Sequence, residues 1–265
     1  MDWSSLGLVM LLSAAVLAAM HAATWAWSRA AHKLAVVDVV WGLGFVLVAL
    51  VSAVVGSGDA VRRVVLLVLA GVWGLRLTWH LERRARGMGE DPRYTALYAD
   101  KGPVETALRV FGLQGALQWI ISLPVQASAA VEAGSGSTAR TILGAGVLVW
   151  GTGLFFEAVG DRQLTAFRAD PANRGRILDT GLWAWTRHPN YVGDAALWWG
   201  MWLVAASSLV PVVFALAISP ALMTFFLRNV SGARLLEKSL SSKPGWAEYA
   251  AKTPYFFPRP PRPPR

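Results

Sequence analysis

Seven apolar stretches constrain this chain more than any other feature. They are Leu6–Trp27, Leu34–Val55, Val64–Leu81, Val110–Ala127, Thr141–Val159, Tyr191–Ala206 and Leu209–Leu227. Most have the length, about 17–25 residues, that a helix needs to cross a hydrocarbon core of about 30 Å. The sixth is short, and Ser207 and Ser208 barely separate it from the seventh, so the last pair is either a tight helical hairpin or one broken span. The expectation is an all-α, polytopic membrane protein with seven transmembrane helices.

Loop charge orients these helices. The 265 residues include 25 basic and 16 acidic side chains, a formal charge of +9. With the N-terminus outside, 21 of the basic residues fall in inner segments and only Arg62, Arg63 and Arg140 in outer ones, while Arg76 lies within a span. Cationic loops resist translocation, which places the N-terminus out and the C-terminus in the cytoplasm, in the cell (inner) membrane. The same rule accounts for the basic balance without nucleic acid as a partner, and no obligate protein partner is evident. Met1-Asp2-Trp3 lacks a positive n-region and the apolar run after it is long for a signal peptide, so the first stretch reads as a span. With no cysteine, disulfides, iron–sulfur clusters and thiolate-ligated haem or zinc are excluded. No internal repeat is visible. Ala133–Thr138 reads as a flexible outer loop, and residues 259–265 as a mobile basic, proline-rich tail.

Ionisable groups inside spans are costly and usually face a cavity, so they point to a site. Arg76, His80 and Arg83 share one face of the third span. Arg83 suits snorkelling to the interface, whereas Arg76 lies deeper. Glu157, Asp161, Leu164 and Arg168 form a second stripe, provided the fifth helix continues past Val159. Carboxylates at i,i+4 repel, and Arg162, Arg168 or a donor-rich ligand must compensate. Asp38 opens the second span, with Trp41, Gly42 and Phe45 on its face; it either pairs with Arg29 or Lys33, or is a buried acid kept protonated. The loops Glu82–Tyr98 and Asp161–Tyr191 are rich in arginine, a good partner for phosphate. Gly42/Gly44, Gly144/Gly146 and Gly151/Gly153 read as helix-packing faces. The four histidines, 21, 32, 80 and 188, are too scattered for a metal cluster, and no metal is expected. A Rossmann fingerprint, a nucleophile elbow and a P-loop are all missing.

The segment Gly181-Leu-Trp-Ala-Trp-Thr-Arg-His-Pro-Asn-Tyr-Val-Gly-Asp194 follows Glu157-x3-Asp161-x6-Arg168 and precedes Glu237, Tyr249 and Pro258. With these residues the chain resembles the steroid 5-alpha-reductase family, in particular its uncharacterised bacterial branch, over roughly Asp38 to Pro258. The Arg-His-Pro-x-Tyr core also occurs in isoprenylcysteine carboxyl and phospholipid methyltransferases, which use S-adenosylmethionine. The upstream Asp161-x6-Arg168 and the Asn-Tyr-x-Gly-acid ending favour the reductases. The resemblance implies a single reductase domain, with residues 1–127 on the substrate side and 141–258 binding NADPH. Asp161, Arg168, Asn190, Tyr191 and Asp194 match cofactor-binding positions, and Glu157 stands where the family usually has an asparagine. Arg76 matches a third-span arginine, His80 falls where a tyrosine is common, and Glu237 falls near a family histidine. Asp38 stands in for a glutamate and Trp73 for a tyrosine that polarise the substrate ketone.

These residues suggest hydride transfer to an activated C=C bond of a lipophilic substrate drawn from the membrane. Protonated Asp38, helped by Trp41 or His80, would donate to the conjugated oxygen. Arg76, Arg83, Arg168 and Arg187 would hold phosphates; Glu157, Asp161 and Asn190 would hold ribose and carboxamide; Tyr191 would lie beside the nicotinamide. His188-Pro189 has a plainer reading as a rigid lead-in to the sixth span. The competing readings are a membrane methyltransferase using S-adenosylmethionine and a non-enzymatic lipid-binding or transport protein.

Overall fold

The computed structural model describes residues 1–98, 100–230 and 232–261, so the tail residues 262–265 lie outside it. Among the described residues all regular structure is helical. The elements are α1 (Trp3–Ala31), α2 (Val36–Val39), α3 (Trp41–Val55), α4 (Ala60–Ala85), α5 (Pro92–Tyr98), α6 (Pro103–Thr106), α7 (Leu113–Ile121), α8 (Leu123–Ser128), α9 (Gly136–Ala169), α10 (Pro189–Ala206), α11 (Pro211–Ala215), α12 (Ile218–Phe225), α13 (Ala233–Leu240) and α14 (Trp246–Lys252). Four segments are long and apolar enough to cross a membrane: α1, α4, α9 and the stretch Pro211–Lys238. Helix α3 is apolar but shorter. On α4, Val61, Val64, Val68, Val72, Leu75 and Trp79 are all exposed. They recur every three or four residues, a continuous apolar stripe that suits acyl chains rather than water. The chain is a membrane protein.

Two expected spans are interrupted. The second breaks at Val40, whose backbone (φ −87°, ψ 1°) leaves α2 as a separate turn. That turn is capped from a distance, because the Glu90 carboxylate accepts the N–H groups of Leu34 and Ala35. Asp38 and Trp41 therefore sit on different helices, not on one continuous stripe. The fourth opens with a π-turn over Ala107–Gly112 and breaks again at Ser122. Pro124 lacks an N–H and would clash with the preceding turn of a continuous helix. The amide of Gln126 donates to the freed Trp119 carbonyl (2.9 Å) and to Ser122 Oγ (2.8 Å), which satisfies the break internally. The last pair is a hairpin. Leu209 adopts a left-handed conformation, and Trp199 Nε1 donates to Thr224 Oγ1 at 3.2 Å. Twenty-five residues of straight helix would separate these groups by about 37 Å.

The chain divides into two compact units, Met1–Leu143 with Val204–Ser219, and Gly144–Leu203 with Pro220–Arg265. In the first unit α1 packs on α3 and α7, and α3 runs against α4. Gly42 and Gly74 bring the last pair to backbone contact: a Cβ on Gly74 would lie 2.5 Å from the Gly42 carbonyl oxygen. The buried Gln118 joins three helices, with Oε1 2.7 Å from His21 Nε2 and its amide donating to the Trp41 carbonyl at 2.7 Å. Arg62, expected in an outer loop, is instead 1% exposed. Its guanidinium donates to the carbonyls of Ser128, Val131 and Glu132, the loose end of α8. Gly134, in the segment expected to be a flexible loop, packs against the Ser207 carbonyl, and α9 already starts at Gly136.

In the second unit α9 and α10 are joined by small residues. A Cβ on Gly153 would meet Leu197 N at 2.5 Å, and one on Gly200 would meet Trp150 N at 2.5 Å. Gly193 packs on the backbone at Glu157. Gly144 and Gly151, expected to share this role, face open space. The contrast predicts opposite outcomes for one substitution. Gly42→Ala should destabilise by about 1–3 kcal/mol or more through backbone overlap. Gly144→Ala should leave stability unchanged or raise it by about 0.5–1 kcal/mol through the helix preference of alanine. Unfolding midpoints of both variants in detergent check this; equal shifts would refute the assigned contact.

Candidate functional site

Helix α9 continues ten residues past Val159 and so carries Glu157, Asp161, Leu164 and Arg168 on one face. Glu157 and Asp161 are buried, at 3% and 7% exposure, and so is Asp194 at 8% on α10. Gly160 lets the start of α10 approach: a Cβ there would lie 3.2 Å from Pro189 Cγ and 3.3 Å from Asn190 N. That approach brings the Asn190 amide within 3.1 Å of Asp161 Oδ1, to which it donates. The donor expected to relieve the two carboxylates is thus in part Asn190. Arg162 and Arg168 are exposed.

The segment between α9 and α10 is fixed by hydrogen bonds that leave its polar face organised. Trp183 Nε1 donates to the Gly160 carbonyl (3.1 Å), and the Tyr249 hydroxyl donates to the Trp183 carbonyl (2.7 Å). The fully buried Thr186 donates to Phe256 O at 2.7 Å. Glu237 closes the arrangement, since its Oε1 lies 3.1 Å from both Arg187 and His188 Nε2. Arg187 also stands over the rings of Tyr255 and Trp246, at 5.2 and 5.7 Å from their centroids. Its Nε is buried and makes no hydrogen bond. His188 stacks on Tyr191 with the ring planes 16° apart. A cavity of about 370 Å³ borders this cluster, lined by Arg234, Glu237, Trp246 and Tyr255 among others.

In the first unit Asp38 finds partners other than those the sequence offered. Its Oδ1 accepts the Tyr94 hydroxyl at 2.7 Å, and Arg93 lies 3.3 Å from Oδ2. Gln114 Nε2 is 3.4 Å from the same hydroxyl. Neither Arg29 nor Lys33 is the counter-ion: Lys33 caps the end of α4 through the carbonyls of Ala85 and Met88. Burial and the neighbouring Asp38 carboxylate push the Tyr94 phenol up. Arg93 and Tyr94, expected among the phosphate-binding loop residues, are thus committed to Asp38 and Asp91. Trp41 packs edge-on against Phe45 at 5.3 Å. Trp73, placed at the substrate by the resemblance, is fully buried against Phe45 in the core. On α4, Arg76 and His80 are half-buried. Arg83 is exposed and lies over the Trp79 ring at 4.9 Å, the snorkelling arrangement.

Glu90 and Gln118 were missed. Each acts through a partner more than 45 positions away in sequence, and only Gln118, a polar group within an apolar stretch, left any signal; Glu237 was singled out, but not its pairing with Arg187 and His188. Among the described residues no group of acidic and histidine side chains could hold a metal.

Burial and Arg187 push the His188 imidazole down to about 3, from an ordinary value of 6.5. Between these two values the unfolded chain binds a proton that the folded one does not. Stability should therefore fall as pH drops from about 6.5 toward about 3. His188→Gln should flatten this part of the stability–pH profile, read from thermal midpoints between pH 4 and 7. An unchanged slope would show that another group carries it.

No curated protein and no solved structure matches the chain significantly. Residues 24–253 match the model of DUF1295, a family described as proteins of unknown function, and the chain belongs to that family.

Proposed function

We propose that the chain is a membrane-embedded, NADPH-dependent reductase that adds hydride to an activated C=C bond of a lipophilic substrate. The observation that best supports this is the buried polar face of α9 and α10, where Glu157, Asp161, Asn190 and Asp194 gather in an otherwise apolar pair of helices. Ionisable groups kept inside apolar helices are costly and usually mark a site, and a carboxylate oxygen is a suitable acceptor for ribose hydroxyls. Arg187 fits a phosphate: one edge of its guanidinium is anchored on Glu237, and its buried Nε–H is unspent. Arg168, exposed at the end of α9, would add charge, and Tyr191 offers a ring face beside His188. The assignment of Arg76 and Arg83 rests on the sequence pattern alone. Bound there, NADPH would supply the hydride and the protein would supply orientation and a dry site.

The sequence pattern assigns Asp38 as donor to the oxygen that gathers charge during reduction, and its hydrogen-bond partner Tyr94 joins it in that proposed role. With Asp38 ionised, the phenol donates to it, as the 2.7 Å contact shows. With Asp38 protonated the bond reverses. The carboxyl O–H then donates to the phenol oxygen, and the Tyr94 hydroxyl turns to the substrate oxygen. Tyr94 thus takes the role expected of Trp41 or His80, and a proton from water completes the reduction at the neighbouring carbon.

Topology belongs to the same proposal: seven crossings, N-terminus outside, C-terminus cytoplasmic, in the inner membrane. It rests on the loop-charge bias and on helices at each of the seven apolar stretches, four of them of spanning length.

The deciding measurement is protection of the detergent-purified protein from thermal unfolding. NADPH at saturating concentration should raise the midpoint by mass action, and S-adenosylmethionine should not. Asp161→Ala and Arg168→Ala should abolish the NADPH effect. Asp38→Asn and Tyr94→Phe should keep it while enone reduction falls by about 10²–10⁴-fold. Protection by S-adenosylmethionine alone, or wild-type NADPH affinity in both cofactor variants, sinks the reading. Because the chain has no native cysteine, single introduced thiols test the topology cleanly. An impermeant maleimide should label Ser137→Cys in intact spheroplasts and Ser241→Cys only after permeabilisation. Labelling of both from one side would remove the odd number of crossings between them.

A further inference from the structure

A second polar cavity lies wholly within the first unit and shares no residue with the set assigned to NADPH. It encloses about 260 Å³ where α1 ends, and Trp25, Ser28, Arg29, Lys33, Tyr98 and Lys101 are among its lining residues. Three cations face one carboxylate, Glu90. That carboxylate is occupied by the N–H groups of Leu34, Ala35 and Asp91. Among the described residues, Lys101 has the mostly exposed Asp100, at 3.5 Å, as its ion-pair partner. The telling atom is Ser28 Oγ. Ser28 is 2% exposed, and its hydroxyl makes no hydrogen bond. A helical serine can return its hydroxyl to the carbonyl one turn back, as Thr24 does to Met20 at 2.7 Å. A buried hydroxyl left unsatisfied is costly, and here it lines a cavity rimmed by cations.

We propose that this cavity is a phosphate-binding site. Ser28 Oγ donates to one phosphate oxygen, and Arg29, Lys33 and Lys101 neutralise the charge. Trp25, which packs edge-on against Phe111 at 5.4 Å, supplies an apolar wall. The site sits at the mouth of a membrane-length apolar helix whose last turns carry Trp25 and the exposed Trp27. That is the level at which aromatic side chains mark the headgroup layer, so the headgroup of an anionic phospholipid is one source of the phosphate and the free ion is the other.

The test uses the full-length protein in a neutral detergent. Thermal midpoints are titrated with dioctanoyl phosphatidylglycerol, dioctanoyl phosphatidylcholine and inorganic phosphate. Phosphatidylglycerol should protect at lower concentration than phosphatidylcholine. If inorganic phosphate fails to protect, the headgroup is the ligand; if it protects as well as the lipid, the free ion is. Arg29→Gln and Lys101→Gln should each raise the half-saturating concentration about fivefold, as expected for one charge near a phosphate. Ser28→Ala should weaken binding while leaving the unliganded midpoint unchanged or higher. Lys33 is left intact because it caps α4. Equal protection by both lipids with none from phosphate overturns the site, and so does half-saturation unaltered in all three variants. NADPH protection should persist in these variants, which keeps failure of this site separate from failure of the reductase reading.

Discussion

A chain that enters hydrocarbon must satisfy its backbone and side-chain polar groups from within. The interrupted helices follow from that constraint. A break frees carbonyls and amides that water cannot reach, so each break is answered by a side chain from nearby or from far along the sequence. Gln126 recovers the carbonyl lost at Ser122, Glu90 caps the turn that precedes Val40, and Arg62 gathers three carbonyls where α8 ends. These residues are polar or charged and mostly buried, and in each case the partner is backbone. They hold the irregular backbone in place and are poor candidates for chemistry.

The same accounting separates structural from functional polar groups. Gln118 spends both ends of its amide on His21 and the Trp41 carbonyl. Thr186 spends its hydroxyl on Phe256. The carboxylates of α9 and α10 are a different case: Glu157, Asp161 and Asp194 are buried ionisable groups, and the Asn190 amide donates to Asp161. Buried groups of this kind are hard to justify by stability, since apolar residues would pack there at lower cost. Ionisable groups held within apolar helices point to a site, which is why the proposed function is placed there.

The helical content and the apolar stretches were legible because length and hydropathy are local properties. So was the Glu157–Asp161–Arg168 stripe, which needs only a continuous helix, and α9 supplies one. What escaped was set by distance. No window of sequence around Asp38 contains Tyr94 or Arg93, 56 and 55 positions away, so local reasoning chose Arg29 and Lys33. The break at Val40 carries no proline, and its cap lies 50 positions further on. Arg62 looked like any outer-loop cation, because charge counting records sign and not depth. The glycine pairs show the same limit. Gly153 and Gly151 differ by 200° around α9, and only the first meets a neighbour.

Glu237 illustrates how a carboxylate can fix an arginine without consuming all its donors. Here Glu237 occupies one edge of Arg187 and one nitrogen of His188 at the same distance of 3.1 Å. The cost is charge, because a guanidinium already paired attracts an anion less strongly. The gain is position, since Arg187 is held between two aromatic rings with Nε–H in a fixed direction. A preorganised donor loses less entropy on binding than a mobile one of greater charge. His188, kept neutral by burial and by Arg187, adds no competing positive charge and instead supports the Tyr191 ring. The arrangement therefore favours a ligand recognised by shape and aligned hydrogen bonds over one captured by net charge alone, as the proposed dinucleotide would be.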